Sequence, residues 1–181
     1  MALENYELAI ADFEKSNCIQ PSSNTNTKLN KCKQKLAEIL KEEGNKVFKT
    51  GDIKKSIEIY TKSINLHPTS HCYGNRSLAN YKLQNYEDSA SDATDSLRCD
   101  KNYSKGFLRR ADAYMALQKY EQAIMDYNYA LALNPSDTAT LKKIYKLQKA
   151  MNTGKEIKLI SCKCMTLYYS IIKEVIKVKN E

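Results

Sequence analysis

The sequence has no tryptophan and few residues that interrupt helices, with 5 glycines and 3 prolines among 181 residues. So few breakers over this length favour a helical protein. No apolar run approaches the ~18 residues that a membrane span needs. The N-terminus also lacks a basic stretch followed by an apolar one, so no signal peptide is predicted. We therefore expect a soluble, cytoplasmic, all-α protein without a membrane span.

Side chains that catalyse reactions or hold metals are scarce. The two histidines, His67 and His71, are close in sequence, and the six cysteines do not form paired zinc-like or disulfide-like spacings. Free thiols in a reducing cytosol are the expectation. No glycine-rich phosphate loop or nucleophile motif is present. The sequence predicts no enzyme activity, no cofactor, no metal site and no small-molecule substrate.

The positive charge is unevenly distributed along the chain. The net charge is +8, of which residues 136–181 carry +6 and residues 37–135 only +1. The body of the chain is therefore nearly balanced, and the basic excess belongs to its C-terminal part. This distribution predicts no specific nucleic-acid partner.

Four segments of the chain resemble one another, and each opens and closes with Ala or Ser: AIADFEKS (9–16), SIEIYTKS (56–63), SASDATDS (89–96) and AIMDYNYA (123–130). The last three recur after 33 and 34 residues. Small residues seven apart let two helices approach closely, and a proline a few residues later, as at Pro68 and Pro135, ends the helix. The pattern predicts a repeated helical hairpin.

This pattern resembles the tetratricopeptide-repeat (TPR) family, whose hallmarks are present at Gly44, Tyr60, Ser89, Ala111, Tyr114, Ala123, Tyr127, Ala130 and Pro135. The resemblance implies an all-α right-handed TPR superhelix, with three full helix-turn-helix repeats within residues 36–150. The second repeat departs most, with Ala93 and Lys101 where an aromatic residue and a proline are common. The apolar spacing over 138–149 indicates a capping helix that covers the last repeat.

The two ends of the chain are predicted separately from this domain. Residues 4–21, within the segment 1–35, match only the second helix of a repeat, and 22–35 form a polar connector or the start of the next helix. We expect either a fragment of a longer array or a chain that lacks its start. Residues 151–181 form a basic tail, whose apolar pairs every four residues favour a helix packed on the superhelix or on another domain. A basic amphipathic membrane or partner helix is the alternative.

Five polar residues fall on the first helices of the three repeats: Lys41, Asn45, Asn75, Lys105 and Arg109. Residues four apart share a helix face. Because first helices line the concave groove of a TPR stack, the five side chains are expected to converge. Three cations and two amides make a receptor for carboxylates. The alternative is that they are ordinary solvated charges.

The stretches KEEGN (41–45), GNRS (74–77) and KGFLRR (105–110) are similar to the dicarboxylate clamp of TPR co-chaperones. Such clamps occur in the TPR regions of type-5 serine/threonine protein phosphatases, chaperone-organising proteins and TPR-bearing J-proteins. The resemblance implies a partner: the C-terminal Glu-Glu-Val-Asp tail of 70-kDa or 90-kDa heat-shock chaperones. It also implies a pocket for the valine, for which the candidates are Phe48, Leu78, Tyr81 and Lys82. Each of these four also has a plain packing explanation.

The function predicted from the sequence is that of a protein–protein interaction module, a co-chaperone-type adaptor. Two alternatives stay open. One is a TPR scaffold for another partner peptide. The other is the targeting module of an enzyme whose catalytic domain lies outside this chain.

Overall fold

The computed structural model describes residues 2–152, and this part of the chain contains eight α-helices. They are α1 (Ala2–Ile19), α2 (Ser23–Thr50), α3 (Ile53–Leu66), α4 (Ser70–Lys82), α5 (Tyr86–Cys99), α6 (Ser104–Ala116), α7 (Tyr120–Leu133) and α8 (Thr138–Asn152). The chain divides into two compact units, Met1–Ile144 and Tyr145–Glu181. Of the second unit, the structure describes only the end of α8. All five predicted clamp residues lie in the first.

The helices of the first unit pack as successive hairpins. Each helix from α1 to α6 contacts the next along the chain, and α4 also contacts α2 and α6. The hairpins α2–α3, α4–α5 and α6–α7 are the three predicted repeats. Their first helices, α2, α4 and α6, therefore lie side by side, which is the arrangement that the groove requires.

The small residues of the repeats are buried between the helices, as the sequence predicts. The side chains at Ser56, Ser89 and Ala123 are 0% exposed. Several small residues are serines rather than alanines, and a buried hydroxyl is costly unless it is hydrogen-bonded. The Ser63 hydroxyl donates to the carbonyl of Ala37 at 2.7 Å, which ties α3 to α2. The close approach of the helices is thus reinforced by hydrogen bonds that alanines would lack.

A residue with left-handed backbone geometry lies in the turn that follows the first helix of each hairpin. These residues are Gly51, Gln84 and Gln118, with φ of 94°, 65° and 59°. Glycine adopts this geometry without steric cost, whereas the two glutamines do so against the clash of Cβ with the backbone. The turn is therefore repeated in all three hairpins, although only the first contains the residue best suited to it.

Helix α2 begins before the first residue of the predicted repeat region. Helix α2 runs from Ser23 to Thr50, 28 residues, so residues 23–35 are helical and form the start of the next helix rather than a separate connector. The buried Leu29 and Leu36 belong to one apolar cluster with Ile10 of α1. Because no glycine or proline lies between Pro21 and Gly44, nothing interrupts the helix there.

Helix α8 confirms the helix predicted over 138–149. Asp137 precedes it and accepts hydrogen bonds from the backbone N–H groups of Ala139 and Thr140, both at 3.1 Å. The hydroxyl and the backbone N–H of Thr140 are the main reasons that the pKa of Asp137 is lowered. Thr140 and Ile144 are 3% and 4% exposed, so one face of α8 is covered. The predicted tail helix, within 155–181, lies outside the described residues.

Within residues 2–152, no helix is both long and apolar enough to span a membrane. The same part of the chain holds no group of three or more His, Cys, Asp or Glu side chains that could bind a metal ion.

Candidate peptide-binding groove

The five predicted clamp residues lie on the three adjacent first helices. Lys41 and Asn45 are on α2, Asn75 is on α4, and Lys105 and Arg109 are on α6. The spacing of four residues within α2 and within α6 places each pair on one helix face.

A chain of hydrogen bonds joins three of these residues across the helices. Asn75 donates its Nδ2 to Asn45 Oδ1 at 2.8 Å, and Arg109 donates Nη2 to Asn75 Oδ1 at 3.2 Å. The hydroxyl of Tyr60, on α3, also donates to Asn45 Oδ1 at 2.8 Å. The structure therefore brings the two amides and the guanidinium of the predicted clamp into direct contact.

Lys41 is linked to the same network through acidic neighbours. Its ammonium lies 2.6 Å from Glu38 Oε1 and 3.4 Å from Glu42 Oε1, and Glu42 accepts a hydrogen bond from Asn45 at 3.3 Å. Burial alone would lower the pKa of Lys41, but these two carboxylates outweigh it and raise the pKa. The Lys41 side chain is 16% exposed, whereas both glutamates are more than half exposed, so water screens the carboxylates of these pairs.

Arg109 is a largely buried cation without a carboxylate partner in the described part of the chain. Its contacts are Asn75 and the hydroxyl of Tyr103, which lies 3.4 Å from Nη1. Burial lowers the pKa of Arg109, although the two nearby tyrosines, Tyr103 and Tyr60, oppose the shift. A charge removed from water without a counterion is destabilising. This position therefore favours the arrival of an anion.

The contrast with two other arginines shows how unusual this arrangement is. Arg76 binds both oxygens of Asp92, with distances of 3.0 and 2.6 Å, and its Nη1 donates to Thr61. Arg110 binds Asp126 in the same bidentate manner, with both distances at 2.8 Å. The carboxylates raise the pKa of both arginines, the direction opposite to that of Arg109.

Lys105 lies one helical turn before Arg109 and is exposed. Among the described residues it has no hydrogen-bond or ion-pair partner. A cation with no partner beside a buried guanidinium concentrates positive potential at this end of the groove.

A small cavity of about 160 Å³ adjoins the amides of the clamp. Two of the four candidate pocket residues, Phe48 and Leu78, line it, together with Glu42, Asn45, Lys49, Tyr60 and Asn75. Tyr81 and Lys82 are not among its lining residues. Tyr81 packs edge-on against Tyr86, and Lys82 is exposed.

Two residues that shape the site, Gly74 and Tyr103, were not predicted from the sequence, and Tyr60 was predicted only as a family hallmark. A Cβ at Gly74 would lie 2.2 Å from Arg109 Nη1 and 2.9 Å from the ring of Tyr103, so only glycine leaves room for both. The pKa of Tyr60 rises to about 12, chiefly through burial, which keeps its hydroxyl a donor to Asn45. Gly74 directly precedes the predicted clamp residue Asn75. This position is the sequence feature that could have identified Gly74 as part of the site.

Comparison with known proteins shows which family and which proteins this chain resembles. The tetratricopeptide-repeat family model matches residues 104–137. Rat serine/threonine-protein phosphatase 5 is 34% identical over 143 residues, which cover 78% of this chain and 28% of the phosphatase. Human DnaJ homolog subfamily C member 7 is 39% identical over 92 residues, covering 48% of this chain and 19% of that protein. The chain thus spans less than a third of the length of these relatives.

Two solved structures match most of their own length. The first TPR of Spaghetti (RPAP3), bound to the HSP90 peptide SRMEEVD, is 32% identical with a TM-score of 0.65, covering 66% of this chain and 95% of that one. The second TPR domain of human RPAP3, in complex with the HSP70 peptide SGPTIEEVD, is 33% identical with a TM-score of 0.58, covering 60% and 92%. These matches confirm the predicted all-α TPR fold, and the chain belongs to the tetratricopeptide-repeat family.

Proposed function

We propose that the chain is a co-chaperone-type adaptor that binds the C-terminal Glu-Glu-Val-Asp tail of 70-kDa or 90-kDa heat-shock chaperones. The binding residues in this proposal are Lys41, Asn45, Asn75, Lys105 and Arg109. The expected cytoplasmic location is part of the same proposal.

The observation that carries the proposal is the state of Arg109. Its guanidinium is mostly buried, has no carboxylate partner among the described residues, and hydrogen-bonds only to an amide and a phenol. Lys105, one turn away, is likewise without a partner there. Two such cations next to each other are best explained by an anion that comes from outside the chain.

Two carboxylates end an Asp-terminated tail, the main-chain group and the aspartate side chain. In our proposal they bind to the surface of the groove that Lys41, the two asparagines, Lys105 and Arg109 form together. The valine enters the cavity that Phe48 and Leu78 line. Its volume of about 160 Å³ leaves room for a side chain of this size.

The relatives support the choice of ligand. Two TPR domains that share about a third of their residues with this chain were solved with Glu-Glu-Val-Asp peptides. The targeting-module alternative is supported by the phosphatase relatives, of whose length the chain covers 28%. That alternative uses the same groove, so the binding experiment tests the groove in both cases, and the gene sequence on either side of this chain separates the adaptor from the targeting module.

The test is titration of the chain with a Met-Glu-Glu-Val-Asp peptide as the free acid and as the C-terminal amide. The amide lacks one negative charge and its charge-assisted hydrogen bonds, each worth about 1.5–3 kcal/mol. We expect affinity to fall by roughly tenfold to a hundredfold. Equal affinity of the two peptides would overturn the proposal and would favour a scaffold for internal peptides.

A further inference from the structure

The contacts at the amides of the clamp are repeated at the far end of the groove. In the first set, Tyr60 and Asn75 both donate to Asn45 Oδ1. In the second set, Tyr127 and Lys143 both donate to Asp112 Oδ1. The corresponding residues are 67 or 68 positions apart, which is two repeats. The groove therefore has a second site with the same geometry, formed by α6, α7 and α8.

Lys143 stands in register with the clamp. It follows Arg109 by 34 residues, and Arg109 follows Asn75 by 34 residues. The three residues thus occupy the same repeat position on the successive first helices α4, α6 and α8. Successive positions of this kind line one side of the groove, and Lys143 continues the series onto the capping helix.

We propose that Lys143 forms a further subsite for an acidic side chain of the bound tail, upstream of its terminal residue. The inference rests on the proposed function. Packed helices lie about 8–10 Å apart, and an extended peptide advances about 3.3–3.6 Å per residue. The step from Arg109 to Lys143 thus corresponds to about two to three residues of ligand. In Glu-Glu-Val-Asp, the residue three positions before the terminal aspartate is a glutamate.

Lys143 is available for this role. Its ammonium lies 2.6 Å from Asp112, but the side chains are 49% and 34% exposed, and ion pairs so open to water are weak. When Lys143 turns to a ligand, Tyr127 still donates to Asp112, so the carboxylate keeps a partner. The ammonium also lies 5.3 Å from the centroid of the Tyr127 ring, which holds it near the groove.

Asp112 competes with the ligand for this cation. Asp112 has the position that the neutral Asn45 has in the first set. Lys143 is therefore already paired with a carboxylate before a ligand binds. Removing its charge while keeping Oδ1 as an acceptor for Tyr127 should therefore improve binding of an acidic tail. Asp112→Asn does both.

The experiment is a double-mutant cycle between protein and peptide. The free-acid peptides Met-Glu-Glu-Val-Asp and Met-Gln-Glu-Val-Asp are titrated into the wild-type chain, Lys143→Ala, Asp112→Asn and the control Lys142→Ala. Lys142 is exposed, and its direction differs from that of Lys143 by about 100° around the helix axis. We expect Lys143→Ala to weaken the glutamate peptide by about twofold to fivefold and to leave the glutamine peptide unchanged. Asp112→Asn should strengthen the glutamate peptide by a similar factor.

The proposal is overturned if Lys143→Ala and Lys142→Ala have the same effect, or if the loss is equal for both peptides. Its failure is distinguishable from failure of the clamp itself. A clamp without the subsite still prefers the free acid to the amide and shows no coupling to Lys143. Circular dichroism melts of each variant confirm that the measured changes come from folded protein.

Discussion

Two neighbouring arginines on α6 are in opposite electrostatic situations. Arg110 forms a bidentate ion pair with Asp126, whose side chain is 5% exposed. Arg109 has no carboxylate near it in the described structure. Both residues have the same charge, but consecutive side chains point about 100° apart around the helix axis, so the two arginines meet different neighbours. The partner decides what each side chain does.

The two arginines should therefore respond oppositely to the same substitution. Arg110→Met leaves the buried Asp126 without its cation, and breaking a buried pair typically costs about 3–5 kcal/mol of unfolding free energy. Arg109→Met removes a charge that has no counterion, so stability should be retained or improved. Denaturant unfolding measures both effects.

Peptide binding completes this comparison. Arg109→Met should lower affinity for the free-acid tail roughly tenfold or more, because a carboxylate loses its charge-assisted hydrogen bonds. Lys119→Ala, outside the clamp, is the control and should bind like the wild type. Wild-type affinity in Arg109→Met would remove Arg109 from the site. Marked unfolding of that variant would show that its charge is structural.

Some of these contacts of individual residues can be predicted from the sequence, and others cannot. The five clamp residues follow from helical spacing and from the family resemblance, and the structure places three of them in one hydrogen-bonded chain. The Arg76–Asp92 and Arg110–Asp126 pairs were not predicted. In each pair, the arginine and the aspartate are 16 residues apart and lie on different helices. No local pattern identifies which aspartate an arginine will contact.

At the scale of elements, the hairpin turns offer a clean test. Gln118 lies in the turn two residues after the end of α6, has a φ of 59° and is exposed, so its side chain contributes little packing. Gln118→Gly relieves the left-handed strain and should raise the unfolding free energy by up to about 1 kcal/mol, offset in part by the greater entropy of the unfolded chain. Thermal melts measure the shift.

The matched control is Gln122→Gly, four residues later and inside α7. There glycine replaces a good helix former and should cost about 1 kcal/mol. If both glycine variants destabilise the protein, the positive φ at Gln118 carries no strain worth relieving.

Element boundaries were predictable where a turn residue or a proline marks them. The links after Thr50 and Lys82 and the end of α7 before Pro135 follow this rule. The start of α2 was left open between two interpretations, because residues 22–35 are polar. Their helix depends on Leu29 and Cys32 packing against α1, a tertiary contact that local composition does not reveal.

At the scale of the whole molecule, the net charge of the repeat region differs from that of the C-terminal part of the chain. Residues 37–135 carry +1, and residues 155–181 contain six lysines and three glutamates. A nearly neutral body cannot neutralise many phosphates, so any affinity for nucleic acid should be weak and should come from the basic end.

Deleting residues 155–181 should therefore remove most of any salt-sensitive binding to DNA or RNA. The steepness of the salt dependence should fall as well, because each lost phosphate contact reduces the slope by about 0.9 on a logarithmic scale for duplex DNA. Peptide affinity should not change, because every proposed clamp residue lies within Met1–Ile144. Fluorescence anisotropy at several salt concentrations measures both ligands on the same samples. Tight nucleic-acid binding that survives the deletion would locate a basic surface on the repeats themselves, which their charge balance argues against.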